Sequence, residues 1–123
     1  MIRTGIDVVD IARFGAALES WPRLAERLFT DGERSYAATR LRPVESLAAR
    51  FAAKEATFKA LGEGWPALSW HQVEVVAGNG PAKGRPDLRL SGRAAALAGG
   101  GRLAVSLAHD GGVAMAQVIL ELP

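Results

Sequence analysis

The chain contains no cysteine. That absence excludes a disulfide scaffold, thiolate ligation of zinc or an iron–sulfur cluster, and a cysteine nucleophile. No run approaches the roughly 20 apolar residues needed to span a bilayer, and the opening MIRTGID has no apolar signal core; a cytoplasmic, non-membrane protein is expected. There is no internal repeat, low-complexity tract or linker long enough to divide the chain, so residues 1–123 are expected to form one domain. Neither sign of charge is in large excess: 15 Lys and Arg stand against 13 Asp and Glu, net +2, and the isoelectric point is near 9.5. Such a balance suits an anionic partner only where the basic residues cluster. The aromatic–basic repeat of single-strand binders is also missing, which argues against a nucleic-acid module.

What is present is ordinary for a folded domain: 49% hydrophobic and 23% charged residues in 123. A chain of this size buries about two-thirds of its unfolded surface, enough for a core.

Ile6, Val8 and Val9 favour a strand over residues 2–9, with Asp7 set opposite Ile6 and Val8 by alternation. Asp10 is placed to cap a helix over IARFGAAL, and RLAERLF follows Trp21 and Pro22 as a second helical stretch. Thr30 and Glu33 have capping-box spacing, which predicts a helix from Asp31 towards Arg40. Pro43 suits the first turn of a long helix, 44–61, and Gly62 its end. Residues 70–77 read as a strand, and GNGPAKGRP as a loop whose GNG forms a hairpin turn. DLRL then reads as a short strand, and Ser91 as the cap of an alanine-rich helix ending at Gly99 to Gly101. Two closing strands, 102–108 and 113–122, meet around His109 to Gly112. The order predicts an α+β fold: a small, mostly antiparallel sheet packed against a long core helix.

On that helix Leu47, Phe51, Phe58 and Leu61 share one stripe, the expected core face. Lys54 falls inside the stripe, and Glu55 flanks it with Lys59 four residues on. Two readings stay open. Lys54 snorkels to solvent while Glu55 and Lys59 form an ordinary surface pair worth about 0.3–0.5 kcal/mol. Alternatively, Asp7 and Glu55 meet as one site. A carboxylate within an apolar strand is costly to bury unless paired or bound to a cation, and two carboxylates with waters and phosphate oxygens form the usual shell of Mg²⁺. Lys54 and Lys59 would then face the phosphates.

GIDVVDIARF, RFAAKEATFKALGEG, SWHQVEV, GRPDL and SLAHD, in that order and spanning the chain, resemble the holo-(acyl-carrier-protein) synthase family of 4′-phosphopantetheinyl transferases. The resemblance implies transfer of the 4′-phosphopantetheine arm of coenzyme A to a serine of apo-acyl carrier protein, releasing 3′,5′-ADP. It implies Mg²⁺, or Mn²⁺, bound by Asp7 and Glu55 with the pyrophosphate of coenzyme A. Lys59 matches a coenzyme A phosphate contact with a catalytic part, Lys54 a supporting electrostatic one, and His109, in Ser106 to His109, a further coenzyme A contact. Ala108 departs from the commoner serine of that stretch. Gly84 and Pro86 match a Gly-x-Pro element shaping the nucleotide pocket, after an insertion, PAKG, longer than usual. Arg13, Arg23 and Arg27 match basic positions that dock the acidic carrier; a merely solvated face is the alternative, since Glu19 and Glu26 lie nearby. The serine proton needs an acceptor, for which Glu55, a water on the metal and His109 are the alternatives. Homotrimers with the active site between subunits are implied as well. A catalytically dead assembly subunit is the remaining alternative, against which Asp7, Glu55 and Lys59 stand together.

Overall fold

A computed structural model describes residues 1–78 and 85–123. The GNG turn (beyond Gly78) and the expected pocket residue Gly84 lie outside the described residues.

The long helix expected from Pro43 and Gly62 organises everything else. Here it is α4, Pro43–Leu61; proline occupies its first turn, and Gly62 closes it in the left-handed region at φ 86°. The alanines of α4 bury almost completely, as do Phe58 and Leu61. Leu47 and Phe51 are only half-buried. The helix is therefore enclosed on most sides rather than along one stripe, as expected of a central helix.

Against it lies a three-stranded antiparallel sheet, in the order β1 (Ile2–Asp10), β5 (Val113–Glu121), β4 (Arg102–Asp110). Ala114, Ala116, Val118 and Leu120 of β5 face α4 and are buried. β4 and β5 join through Gly111 and Gly112, both at positive φ (56° and 80°), as a two-residue hairpin turn requires. His109 and Asp110 thus belong to β4 rather than to the loop. β1 alternates as expected, with Asp7 opposite Ile6 and Val8. Ile6 and Val8 point outward, 60% and 58% exposed, and it is Gly5, Asp7 and Val9 that face the helix. The reason is size: the alanine surface of α4 comes so near the strand that a Cβ on Gly5 would lie 1.8 Å from the Ala56 carbonyl oxygen.

Three helices wrap the other side: α1 (Ile11–Ser20), α2 (Leu24–Leu28) and α3 (Asp31–Ala38). Asp10 caps α1, its carboxylate accepting from the Arg13 amide at 2.8 Å. Thr30 and Glu33 form the expected capping box. A second, two-stranded antiparallel sheet joins β2 (Val73–Ala77) to β3 (Pro86–Leu90). Residues 70–72, expected to begin that strand, form a 3₁₀ turn, Trp70–Gln72, entered at Ser69. The last helix, α5 (Gly92–Ala98), starts after Ser91, whose side chain makes no cap hydrogen bond.

Candidate active site

Asp7 reaches the seam between β1 and α4 because the strand descends so closely onto the helix at Gly5. Across the seam, Glu55 is half-buried on α4, and Lys59 follows one turn later. Lys59 Nζ donates to the Ile6 carbonyl at 2.8 Å and lies 3.3 Å from Asp7 Oδ1. Lys59 is therefore turned towards β1, and no surface pair with Glu55 forms. Asp7 and Glu55 line one cleft of about 400 Å³ together with Asp10, Arg13, Phe14 and Phe51.

Burial holds the Glu55 carboxyl above its usual range; the Asp7 charge pushes it further up, and Lys59 offsets part of this. Among the described residues Glu55 has no ion-pair partner, and no third carboxylate, histidine or cysteine completes a metal-ligand cluster with the pair. Two carboxylates on one cleft, beside one ammonium, fit a hard divalent cation whose remaining ligands are waters and the oxygens of a substrate. A soft or histidine-selecting metal does not fit this donor set.

Lys54 is elsewhere. Its ammonium is fully buried, 2.8 Å from Glu33 Oε1, and donates to the carbonyls of Trp70 at 2.9 Å and Val73 at 2.5 Å. Neither the snorkelling reading nor a direct coenzyme A contact survives, because the ammonium has no exposed surface and its donors are engaged. The long range of these contacts hid them: Glu33 lies 21 positions upstream, in a different helix.

Arg13 stands on the wall of the acid cleft. Arg23 and Arg27 line the adjoining groove with Trp21, Leu24 and Glu26, and Ala17 borders both. None of the three arginines forms an ion pair among the described residues. His109 does not line the acid cleft. It lies in a second one, of about 420 Å³, with Tyr36, Arg40, Arg42, Glu45 and Arg50, and its Nδ1 is 2.5 Å from Glu45 Oε1. Sequence reasoning did not single out these arginines. The Arg50 guanidinium stacks 4.3 Å from the Tyr36 ring centroid, and its Nε has no hydrogen-bond partner. The available signal was an arginine at a buried position of the long helix. Pro86 opens β3 opposite Ala77 and lines neither cleft.

The enclosed helix, the antiparallel sheet and a cleft lined by two carboxylates with a lysine beside them set out an arrangement whose donor chemistry fits a hard cation next to an anionic ligand. Residues 3–107 match the model of the 4′-phosphopantetheinyl transferase superfamily. The holo-(acyl-carrier-protein) synthase of Frankia casuarinae is 52% identical over 126 residues, 98% of each chain. That of Geobacter metallireducens is 50% identical over 123 residues, 96% of this chain and 95% of the relative. Among solved structures, the ACPS–CoA complex of Chronobacterium ammoniagenes matches with a TM-score of 0.86 at 32% identity, covering 100% of this chain and 98% of that one. The chain belongs to the 4′-phosphopantetheinyl transferase superfamily and, within it, to the holo-(acyl-carrier-protein) synthase family of enzymes.

Proposed function

We propose that this chain transfers the 4′-phosphopantetheine arm of coenzyme A to a serine of an acidic apo-acyl carrier protein, releasing 3′,5′-ADP, in a reaction that depends on Mg²⁺ or Mn²⁺. The observation that carries this reading is the convergence of Asp7 and Glu55 on one cleft with Lys59 beside them. The likeness to a coenzyme A complex of the same family supports the substrate.

Asp7 from β1 and Glu55 from α4 would hold the cation. When bound, the ion neutralises the pyrophosphate and the charge growing on the leaving phosphate. Lys59, anchored on the Ile6 carbonyl, sets its ammonium where a phosphate oxygen shares it with Asp7. The carrier serine oxygen attacks the phosphorus of the pantetheine half, the bond to the bridging oxygen breaks, and 3′,5′-ADP leaves. The serine proton goes to a carboxylate oxygen of Glu55, the acceptor this chain itself brings to the cleft. His109 lines the other cleft within one chain, which removes it as a same-chain base. As a coenzyme A contact it would act there with Arg40, Arg42 and Arg50.

Arg13, Arg23 and Arg27 form the docking rim for the carrier, on the side of the acid cleft where Ala17 links the two grooves. The outward face of the sheet carries Ile2, Ile6, Val8 and Ile119, exposed by 63, 60, 58 and 39%. Large apolar side chains exposed on one sheet face, with Thr4 and Gln117 among them, suit an interface. A homotrimer with its active site between subunits, the assembly the family likeness implies, would cover this face.

Mass spectrometry of an apo-carrier incubated with coenzyme A, Mg²⁺ and this protein tests the proposal. The expected result is a gain of about 340 Da, the mass of the transferred arm, lost with Asp7→Asn or Glu55→Gln. An unmodified carrier, across fatty-acid, polyketide and peptide-synthetase carriers, would overturn it.

A further inference from the structure

The Lys54–Glu33 pair is costly to bury. Both side chains have no exposed surface, and such a pair often contributes less stability than the apolar residues that could replace it. All three ammonium donors and both carboxylate oxygens are nonetheless engaged. Glu33 Oε1 accepts from the Thr30 amide at 2.9 Å and pairs with Lys54, while Oε2 accepts from the Val75 amide at 2.8 Å. Lys54 adds the Trp70 and Val73 carbonyls. One ion pair thereby ties together the first turn of α3, the 3₁₀ turn, β2 and α4. It takes hold of α4 one residue before Glu55.

That position decides what the pair can do. Three fixed acceptors on one ammonium clamp the helix against rotation about its own axis. A carboxylate standing about 7 Å from that axis moves about 1.2 Å for a 10° turn, given a Cα radius near 2.3 Å. Mg²⁺ tolerates far less, because it demands near-ideal octahedral geometry at about 2.0–2.1 Å. From the geometry we infer that Lys54 and Glu33 are positioning residues: their buried pair sets the rotation of α4 and so aims Glu55 across the seam at Asp7. This rests on the proposed cation site between those two acids.

The test separates aim from stability. The double variant Lys54→Met/Glu33→Gln replaces the charged pair by uncharged side chains of similar length; the glutamine oxygen still accepts from one of the two backbone amides, so the fold is kept at some cost in stability while the clamp on α4 is removed. Thermal unfolding checks stability, Mn²⁺ binding by electron paramagnetic resonance in the presence of coenzyme A checks the site, and carrier modification gives kcat and KM. The expected result is a protein that still unfolds cooperatively, at a lowered temperature because the Trp70 and Val73 carbonyls lose their donor, with Mn²⁺ affinity weakened about tenfold or more, kcat lowered by a similar factor at a temperature where the variant is folded, and KM for the carrier unchanged. Losses of 10–100-fold are usual when residues behind a metal ligand are removed. If the double variant does not fold, Glu33→Gln carries the same test, since it keeps the shape and removes the charge. A folded variant with wild-type Mn²⁺ affinity and kcat would overturn the inference. Failure of the wild type itself to bind Mn²⁺ would instead overturn the cation site.

Discussion

Replacing Gly5 by alanine adds one methyl group at the tightest point of the fold. The new carbon would sit 1.8 Å from the Ala56 carbonyl oxygen and 3.0 Å from the Ala60 amide nitrogen, both backbone atoms of a buried helix. An ordinary carbon–oxygen contact is about 3.3 Å, so strand and helix must part by roughly 1.5 Å, and no side chain can rotate away to relieve the clash. Overpacking of this kind costs about 1–3 kcal/mol or more. The functional loss should exceed what that stability change explains. Asp7 lies two residues on, on the same face of β1, and travels with the strand away from Glu55 and Lys59. A misplacement of about 1 Å at a reacting centre can lower rates about 100-fold. Gly5→Ala should therefore remain folded at 20 °C with a reduced urea midpoint and lose about 100-fold in kcat/KM for carrier modification, with more Mg²⁺ needed for half-maximal rate. Urea unfolding and a Mg²⁺ titration of the rate read both effects. A variant within 0.5 kcal/mol of wild type (about the range of neutral surface changes) and at more than half its rate would refute the close-approach argument.

Glu55 carries a pH signature. Its carboxyl is held above the usual range by burial and then by Asp7, so the folded state favours its protonated form, and that contribution to stability is lost as pH rises through the carboxylate range. Metal-free protein should lose stability over that interval, with part of the loss absent in Glu55→Gln; identical profiles by calorimetry would contradict this. Arg23→Glu and Arg27→Glu should each raise KM for the carrier several-fold, less so at high salt, and leave KM for coenzyme A unchanged, because rim charges act on the partner they face. Arg13→Glu should alter both, since Arg13 stands on the wall of the acid cleft; equal behaviour of all three in steady-state kinetics would count against the docking rim. Val8→Lys on the outward face of β1 should break up the proposed homotrimer, seen as a lower mass than wild type in light scattering, and an unchanged mass would remove that face from the proposed interface.

Local rules carried far along this chain. The Asp10 cap, the Thr30–Glu33 capping box, Pro43 at a first turn and Gly62 at a helix end each depend on neighbours within four residues, and each is found where spacing places it. What spacing does not carry is the second use of such a residue. Glu33 was legible as a cap but not as the buried partner of Lys54, because that pairing depends on how α3 and α4 cross. The inward face of β1 was left open for a related reason. Alternation says that Asp7 and Ile6 face opposite ways but not which way is inward, and a helix surfaced with Ala52, Ala53, Ala56 and Ala60 accepts a strand through Gly5 better than through isoleucine. The acid pair was inferred from the cost of a carboxylate in an apolar strand. The second cleft, built from Tyr36, Arg40, Arg42 and Arg50, gave no comparable signal, since arginines on helices and in the turns between them are ordinarily solvated.

The account turns on one cation held by two acids from different elements. Crystals grown with Mn²⁺ and coenzyme A, measured at the manganese absorption edge, test it directly. The account predicts an anomalous peak about 2.1–2.2 Å from carboxylate oxygens of both Asp7 and Glu55, close to the distance of a small octahedral divalent ion, with pyrophosphate oxygens completing the shell. A peak bound by only one of the two, or lying outside their cleft, would contradict it.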